Sequence, residues 1–277
     1  MIMGVQDSGK YIYHYRTAGT AIKHILPAGR LRLGKYNGTN DPKEVKDWKF
    51  SIGSNEGRDL KVREWDELSK WLSDELKSQT RVLCFSRDES GLTGNHLFDI
   101  CKRGFCKPRM WAQYGGNHTG VCLVFDKDRL LKSFISQYAN ECSLISGDVQ
   151  YVDRTIADDL YRDQQYLINL DALAILGKSQ YPEVHIKTHH KRLFFEKMTD
   201  WRAENEWRCV LFSKREEELY LSYGNSLVGI IFGNDTSRED ISEVKQLTYG
   251  KGLSYQAVRW KNCAPWYDFT DPVFHGR

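Results

Sequence analysis

The residues best equipped for chemistry lie in one run, Trp201-Arg202-Ala203-Glu204-Asn205-Glu206-Trp207-Arg208-Cys209-Val210-Leu211. Taken as a strand, its period of two puts Glu204, Glu206 and Arg208 on one face and Asn205, Trp207, Cys209 and Leu211 on the other. Two carboxylates in line with a guanidinium suit a site that recognises or stabilises positive charge. The same pattern also fits an ordinary half-buried strand whose solvent face is charged, and at this point both readings stand.

Further polar groups fall at strand ends: His14, Tyr15 and Arg16 in an aromatic run near the start, and Ser86 closing Arg81-Val82-Leu83-Cys84-Phe85-Ser86. If these strands are neighbours, one cleft would offer donors for phosphate or ribose, aromatic faces for a ring and a carboxylate for a developing cation. Other constellations carry less. His185 and His189 have the i, i+4 spacing of a zinc helix, but no Glu follows His185 and Cys101 and Cys106 are too loosely spaced to complete a site. With Lys187, Lys191 and Arg192 beside them, they read as a solvated basic face, and no metal is expected. There is no Gly-rich phosphate loop and no Gly-x-Ser-x-Gly elbow.

The elements that must position these groups follow from periodicity. Tyr11 to Arg16 is a predicted strand, Thr17 caps a short helix ending at Pro27-Ala28-Gly29, and Arg30 to Leu33 alternates as a second strand. Gly34 to Asp59 is a polar excursion containing Asn40-Asp41-Pro42-Lys43-Glu44. Val62, Trp65, Leu68, Trp71, Leu72 and Leu76 mark an amphipathic helix over Lys61 to Lys77, with its tryptophans as core. Pro108 opens a helical turn through Tyr114, Gly120 to Phe125 is a buried strand, and Asp126 caps the next helix. Ile156 to Thr199 is mostly helical, interrupted near Gly177 and Pro182. Strands at Trp201–Phe212, 219–223 and 227–232, a helix from Asp235 or Ser237 to Leu247 and a last strand over 253–260 complete the chain. Such irregular alternation predicts an α+β fold, a mixed and mainly antiparallel sheet flanked by helices, in a single domain over 1–277 with 156–199 as a candidate helical insertion.

Bulk properties narrow the partners. Forty basic residues against 37 acidic ones leave a net charge of +3, too small a field to demand nucleic acid or an anionic membrane. Seven cysteines, an odd number scattered through apolar runs, point to a reduced, cytoplasmic protein. Met1 to Lys10 lacks the apolar core of a signal peptide, and no apolar run is long enough to span a bilayer.

Across residues 11 to 235 the chain resembles a widespread bacterial family known only as domain of unknown function 2971. The resemblance rests on Tyr13-His14-Tyr15-Arg16, Ile25-Leu26 to Leu33, Asn40-Asp41-Pro42 with Glu44, Cys84-Phe85-Ser86, Met110-Trp111-Ala112-Gln113-Tyr114, His118 to Asp126, Lys197, Trp201 with Glu204-Asn205-Glu206-Trp207-Arg208, and Ile230 to Gly233. Gln113 stands where that family usually has His. More distantly, the chain is similar to ADP-ribosyltransferases, which carry a first-strand His or Arg, a middle strand ending in Ser and a late Glu-x-Glu. That resemblance implies an ADP-ribosyltransferase-like sheet and NAD as substrate. It assigns Glu206 with Glu204 as catalytic, His14, Arg16, Ser86 and Arg208 to NAD binding, and Tyr15 or Trp111 to stacking on nicotinamide.

The favoured function is transfer of ADP-ribose from NAD to a nucleic acid or protein, as a toxin or phage-defence effector with a restraining partner such as an antitoxin. Two alternatives follow from the same residues: a noncatalytic nucleotide or nucleic-acid binding module, and a metal-dependent nuclease using Asp41, Glu44, Glu204 and Glu206.

Overall fold

A computed structural model of the chain describes residue 2 and residues 4–140, 143–155 and 164–274. Its strands are β1 (Tyr11–Arg16), β2 (Arg30–Lys35), β3 (Ser51–Gly53), β4 (Thr80–Arg87), β5 (Val121–Asp126), β6 (Ser143–Asp148), β7 (Gln150–Tyr151), β8 (Leu167–Asn169), β9 (Glu196–Lys197), β10 (Glu206–Phe212), β11 (Leu219–Ser222), β12 (Leu227–Phe232), β13 (Ser254–Ala257), β14 (Arg259–Lys261) and β15 (Ala264–Trp266). Among the described residues nine of them make one sheet, ordered β11-β2-β4-β1-β5-β12-β13, with β10 added to β4 and β6 to β10. Only β12 with β13 is parallel in that sheet. The fold is therefore α+β around a mixed, mainly antiparallel sheet.

Strand alternation divides the core. On one face Ile12, Leu83, Phe85, Leu123, Trp207 and Ile230 pack with Leu130 and Phe134 of the Lys127–Tyr138 helix and Val244 of the Arg238–Leu247 helix. The other face carries two separate clusters. Val82, Val210 and Phe212 meet the helices Val62–Ser78 and Leu170–Phe194, whereas Tyr13, Tyr15, Cys122 and Val124 meet Phe105, Met110 and Trp111. The seam between these clusters holds the site.

That seam exists because β4 is shared unequally. One edge pairs with β10 from Thr80 to Ser86. The other edge is divided: Ser86 and Arg87 pair with β1, and Arg81 and Val82 with β2. Among the described residues no strand covers Leu83 to Phe85 on that side, so the sheet opens there. Gly120 keeps the end of β1 against β5, since a Cβ at this position would stand 2.2 Å from the Arg16 carbonyl oxygen.

Capping matches expectation: the side chains of Thr17, Asp126 and Ser237 accept from the N–H groups of Thr20, Arg129 and Asp240. Several expectations are corrected. The excursion after β2 is structured, with a Pro42–Val45 helical turn and β3 inside it. Trp65 is 37% exposed rather than core, its indole N–H donating to the Phe50 carbonyl at 2.6 Å. The expected break at Gly177 is present, with a φ of 67° that only glycine adopts freely, but Pro182 does not interrupt the Leu170–Phe194 helix and is accommodated inside it. The expected helical stretch over residues 156–163 lies outside the described residues. No helix among the described residues is long and apolar enough to cross a membrane.

Candidate active site

The run from Trp201 is not one strand. Thr199–Glu204 forms a 3-10 turn, Asn205 takes a left-handed conformation (φ 43°), and β10 starts only at Glu206. Asn205 tolerates that backbone and is pinned there, its amide donating to the carbonyls of Arg87 (3.1 Å) and Asp88 (3.0 Å). The Ser86 hydroxyl donates to the Glu204 carbonyl at 2.7 Å. Seven of seven β10 residues are buried, so its charged face is an interior ion cluster and not a solvent face.

Lys197, on the two-residue β9, closes that cluster. Its ammonium lies 2.7 Å from Glu204 and 2.9 Å from Glu206. Arg208 donates through Nε and Nη2 to both oxygens of Glu206 (2.5 and 3.0 Å), through Nη1 to the Phe194 carbonyl (2.9 Å), and also to Glu44. The Tyr114 hydroxyl donates to Glu204 at 3.0 Å. Burial pushes the Glu206 carboxyl up, but the charges of Arg208 and then Lys197 outweigh it and hold the group at about 2. Glu204 moves the other way: burial raises it, Lys197 opposes, and the neighbouring Glu206 charge adds to the rise. Three carboxylates on two cations leave a formal negative excess in a buried place, where it acts over the greatest distance.

A cavity of about 380 Å³ opens beside this cluster and extends through the gap in the sheet to β1 and β2. Tyr13, Ser86 and Glu206 stand in one row, directly opposed across three adjacent strands. His14 and Arg16 alternate onto the opposite side of β1 and reach the cavity only because β4 is uncovered there. The His14 Nδ1–H donates to the Cys84 carbonyl at 2.9 Å, which leaves Nε2 to accept from Arg16 Nε at 2.9 Å. Burial, reinforced by the Arg16 charge, lowers the His14 imidazole to about 3, so it is neutral. Among the described residues Arg16 has no carboxylate partner, and Arg32 and Lys35 line the same end.

Of the expected site residues, His14, Tyr15, Arg16, Ser86, Glu204, Glu206 and Arg208 all line this cavity, and Trp111 does not. The Trp111 indole donates to the Phe105 carbonyl and its ring meets the Tyr15 ring edge-on at 5.0 Å, inside the core. The Tyr15 hydroxyl is likewise turned inward, to the Gly104 carbonyl at 2.7 Å. Both rings are thus packed in the core, and of the two only Tyr15 also borders the cavity. Lys197, Tyr114 and Trp201 are lining residues to which the sequence reading gave no role. All three figure there only as points of resemblance, and a lone Lys after a helix has no period to betray it. Among the described residues no group of three His, Cys, Asp or Glu could hold a metal ion; His185 instead packs on Phe50 and Tyr181.

Residues 110–209 match the family model described as Protein of unknown function (DUF2971). No curated protein and no solved structure matches the chain. The matched segment contributes Tyr114, Lys197, Glu204, Glu206 and Arg208 to the charged wall, and Glu44 joins them from outside it. The Arg16 wall, on β1, lies outside it.

Proposed function

We propose that this cavity binds NAD, breaks its nicotinamide–ribose bond and transfers ADP-ribose to a macromolecular acceptor. One observation carries the reading: a single cavity joins a buried cluster in which Glu44, Glu204 and Glu206 outnumber Lys197 and Arg208 to a guanidinium, Arg16, that has no carboxylate partner among the described residues. Its volume falls within the range of small-molecule sites. Phosphates would sit toward Arg16, Arg32 and Lys35, and the nicotinamide ribose toward Glu206.

The chemistry follows from the charges. The C1′–N bond breaks with its electron pair moving to the pyridinium nitrogen, neutral nicotinamide leaves, and positive charge passes to ribosyl C1′. Glu206, held ionised by Arg208 and Lys197, stabilises that cation through its charge, as carboxylates do in glycoside hydrolysis. An acceptor oxygen or nitrogen attacks C1′ and releases its proton to solvent. A toxin or phage-defence setting, with a nucleic acid or protein as acceptor and a partner that restrains the activity, belongs to the same proposal. A metal-dependent nuclease is less well supported, because Arg208 and Lys197 already engage the carboxylate oxygens a cation would need.

Nicotinamide release from NAD, with and without bacterial lysate as acceptor, tests the proposal. Wild type should release it, and Glu206→Gln should lose roughly 10²-fold or more. Because Gln leaves two cations short of a partner, Arg16→Gln is the companion variant, expected to raise KM with the cluster intact. No release by wild type, or undiminished release by folded Glu206→Gln, overturns the reading.

A further inference from the structure

A second cavity, of about 340 Å³, shares no lining residue with the first. Single stretches of chain divide the two. On the Pro42–Val45 turn Lys43 lines the second cavity and Glu44 the first, and on β9 Glu196 lines the second and Lys197 the first. Successive strand residues point to opposite faces, so β9 presents a carboxylate to one cavity and an ammonium to the other. The charge balance is reversed as well. Among the described residues the second cavity is lined by the cations Lys43, Lys46, Lys49, Arg154 and Arg192 against two carboxylates, Asp47 and Glu196.

The local sequence explains why the cations stand there. Asp41 caps the Pro42–Val45 turn, its Oδ1 accepting from the Lys43 N–H at 2.9 Å, with Pro42 at the first helical position, where no N–H is needed. The Trp48 indole donates to the Lys43 carbonyl at 2.8 Å, and the buried Lys77 ammonium donates to the Lys46 carbonyl. Core donors thus hold the backbone of the turn, and the side chains of Lys43 and Lys46 are left to the cavity. Glu196 then gathers Lys43 at 3.0 Å, Arg154 at 3.2 Å and Arg192 through its Nη1. Donors remain after that. Arg154 donates to Glu196 through Nε and Nη2, and its Nη1 makes no hydrogen bond among the described residues. Lys46 has no ion-pair partner among them. Lys46 is exposed and the Arg154 side chain is 41% exposed, so a solute entering the cavity meets both.

We propose that the second cavity is a phosphate site, holding the phosphate of a nucleotide or of a nucleic-acid strand. A phosphate group brings about one to two negative charges and several acceptor oxygens. That suits a guanidinium edge beside two ammonium groups, the fork engaging two oxygens and each ammonium acting as a point charge. Trp48 and Tyr166 border the cavity but are buried in the core, so a base finds no open ring to stack on and the site reads phosphate alone. The inference does not rest on the NAD reading, since none of its residues lines the first cavity.

Binding of pyrophosphate, AMP and a single-stranded RNA of about ten nucleotides to the full chain is measured by calorimetry at low salt. Because Arg16 is assigned to phosphates in the first cavity, Arg16→Gln is the background. Lys46→Gln and Arg154→Gln together then alter the second cavity at exposed side chains, where folding is least disturbed. The Arg16→Gln protein should bind at least one of the three probes, and the added pair should weaken that binding by on the order of tenfold, the scale of a hydrogen bond to a charged group. If RNA binds, its slope of log affinity against log salt should become shallower by about 0.7 for each cation removed. RNA held more tightly than AMP identifies the strand as the source of the phosphate, and AMP held as tightly or more so identifies the nucleotide. Absence of binding by the Arg16→Gln protein, or binding that the added pair leaves unchanged, overturns the inference. Nicotinamide release by wild type is scored separately, so either reading can fail alone.

Discussion

Two buried ion clusters in this protein look alike in composition and differ in balance. Asp88 and Arg103 form a matched pair at 2.8 Å, both side chains fully buried, with the second Asp88 oxygen accepting from the Gly104 N–H at 2.8 Å. Neither lines the cavity, and the pair fastens the segment before the Pro108–Gln113 helix to the end of β4. The cluster of Glu44, Glu204 and Glu206 on Lys197 and Arg208 is equally buried, yet it has more negative groups than positive ones and borders a cavity. Burial and pairing alone do not distinguish structural charge from functional charge. The charge balance and the cavity do.

The largest expected effect separates the two by truncation. Removing one partner of a buried pair typically costs roughly 3–5 kcal/mol. Arg208→Met strands Glu44 and leaves Glu206 with Lys197 alone, and should lie at the upper end of that range, whereas Arg103→Met strands only Asp88 and should lie lower. Urea unfolding of both variants measures the gap, and equal losses would erase the distinction. Replacing Asp88 and Arg103 together by Leu and Met should come close to wild-type stability, since an apolar pair of similar volume is often neutral, and should leave nicotinamide release in place.

Acid titration of stability is the next test. His14 is lowered from its ordinary 6.5 to about 3, so below pH 6.5 the unfolded chain binds a proton that the folded chain refuses. Stability therefore falls as pH drops from about 6.5 toward 3. Glu206 is lowered from 4.5 to about 2; its contribution is complete above 4.5 and is lost as pH falls toward 2. Each group adds a slope of at most about 1.4 kcal/mol per pH unit. His14→Gln should reduce the slope in the upper window to the part that buried His185, lowered to about 4, still contributes, and leave the lower window, as read from chemical unfolding at a series of pH values. The smallest effect serves as a control remote from both clusters: Asp126→Ala removes a helix cap and should cost about 1 kcal/mol in the same unfolding experiment, without altering either pH window.

Local signals were legible in the sequence and pairings were not. Caps at Thr17, Asp126 and Ser237 and the period of Val62 to Leu76 depend on neighbours a few positions away, so composition reveals them. The sequence reading ends the last strand at Trp260 and misses the β14–β15 hairpin beyond it, whose turn uses Asn262 and Cys263 at φ 53° and 63°; Cys gives no turn signal. The residue types of the site were visible at His14, Arg16, Ser86 and Glu206. Their meeting depends on the register Tyr13–Ser86–Glu206 and on the divided edge of β4, both products of distant pairing. Trp111 misled for a related reason: an aromatic beside a polar motif suits stacking and packing equally, and only the neighbours Tyr15 and Phe105 decide.

The divided edge of β4 also bears on how this protein folds. Ser86 and Glu204, joined at 2.7 Å, are 118 positions apart, so the central pairing of β4 with β10 closes a very long loop and should be late and slow to form. Within the stretch 110–209, β10 finds β6 but not β4. Cut away from the rest, that stretch would present the part of the strand it contains, Glu206 to Cys209, as an open edge, and self-association would compete with folding.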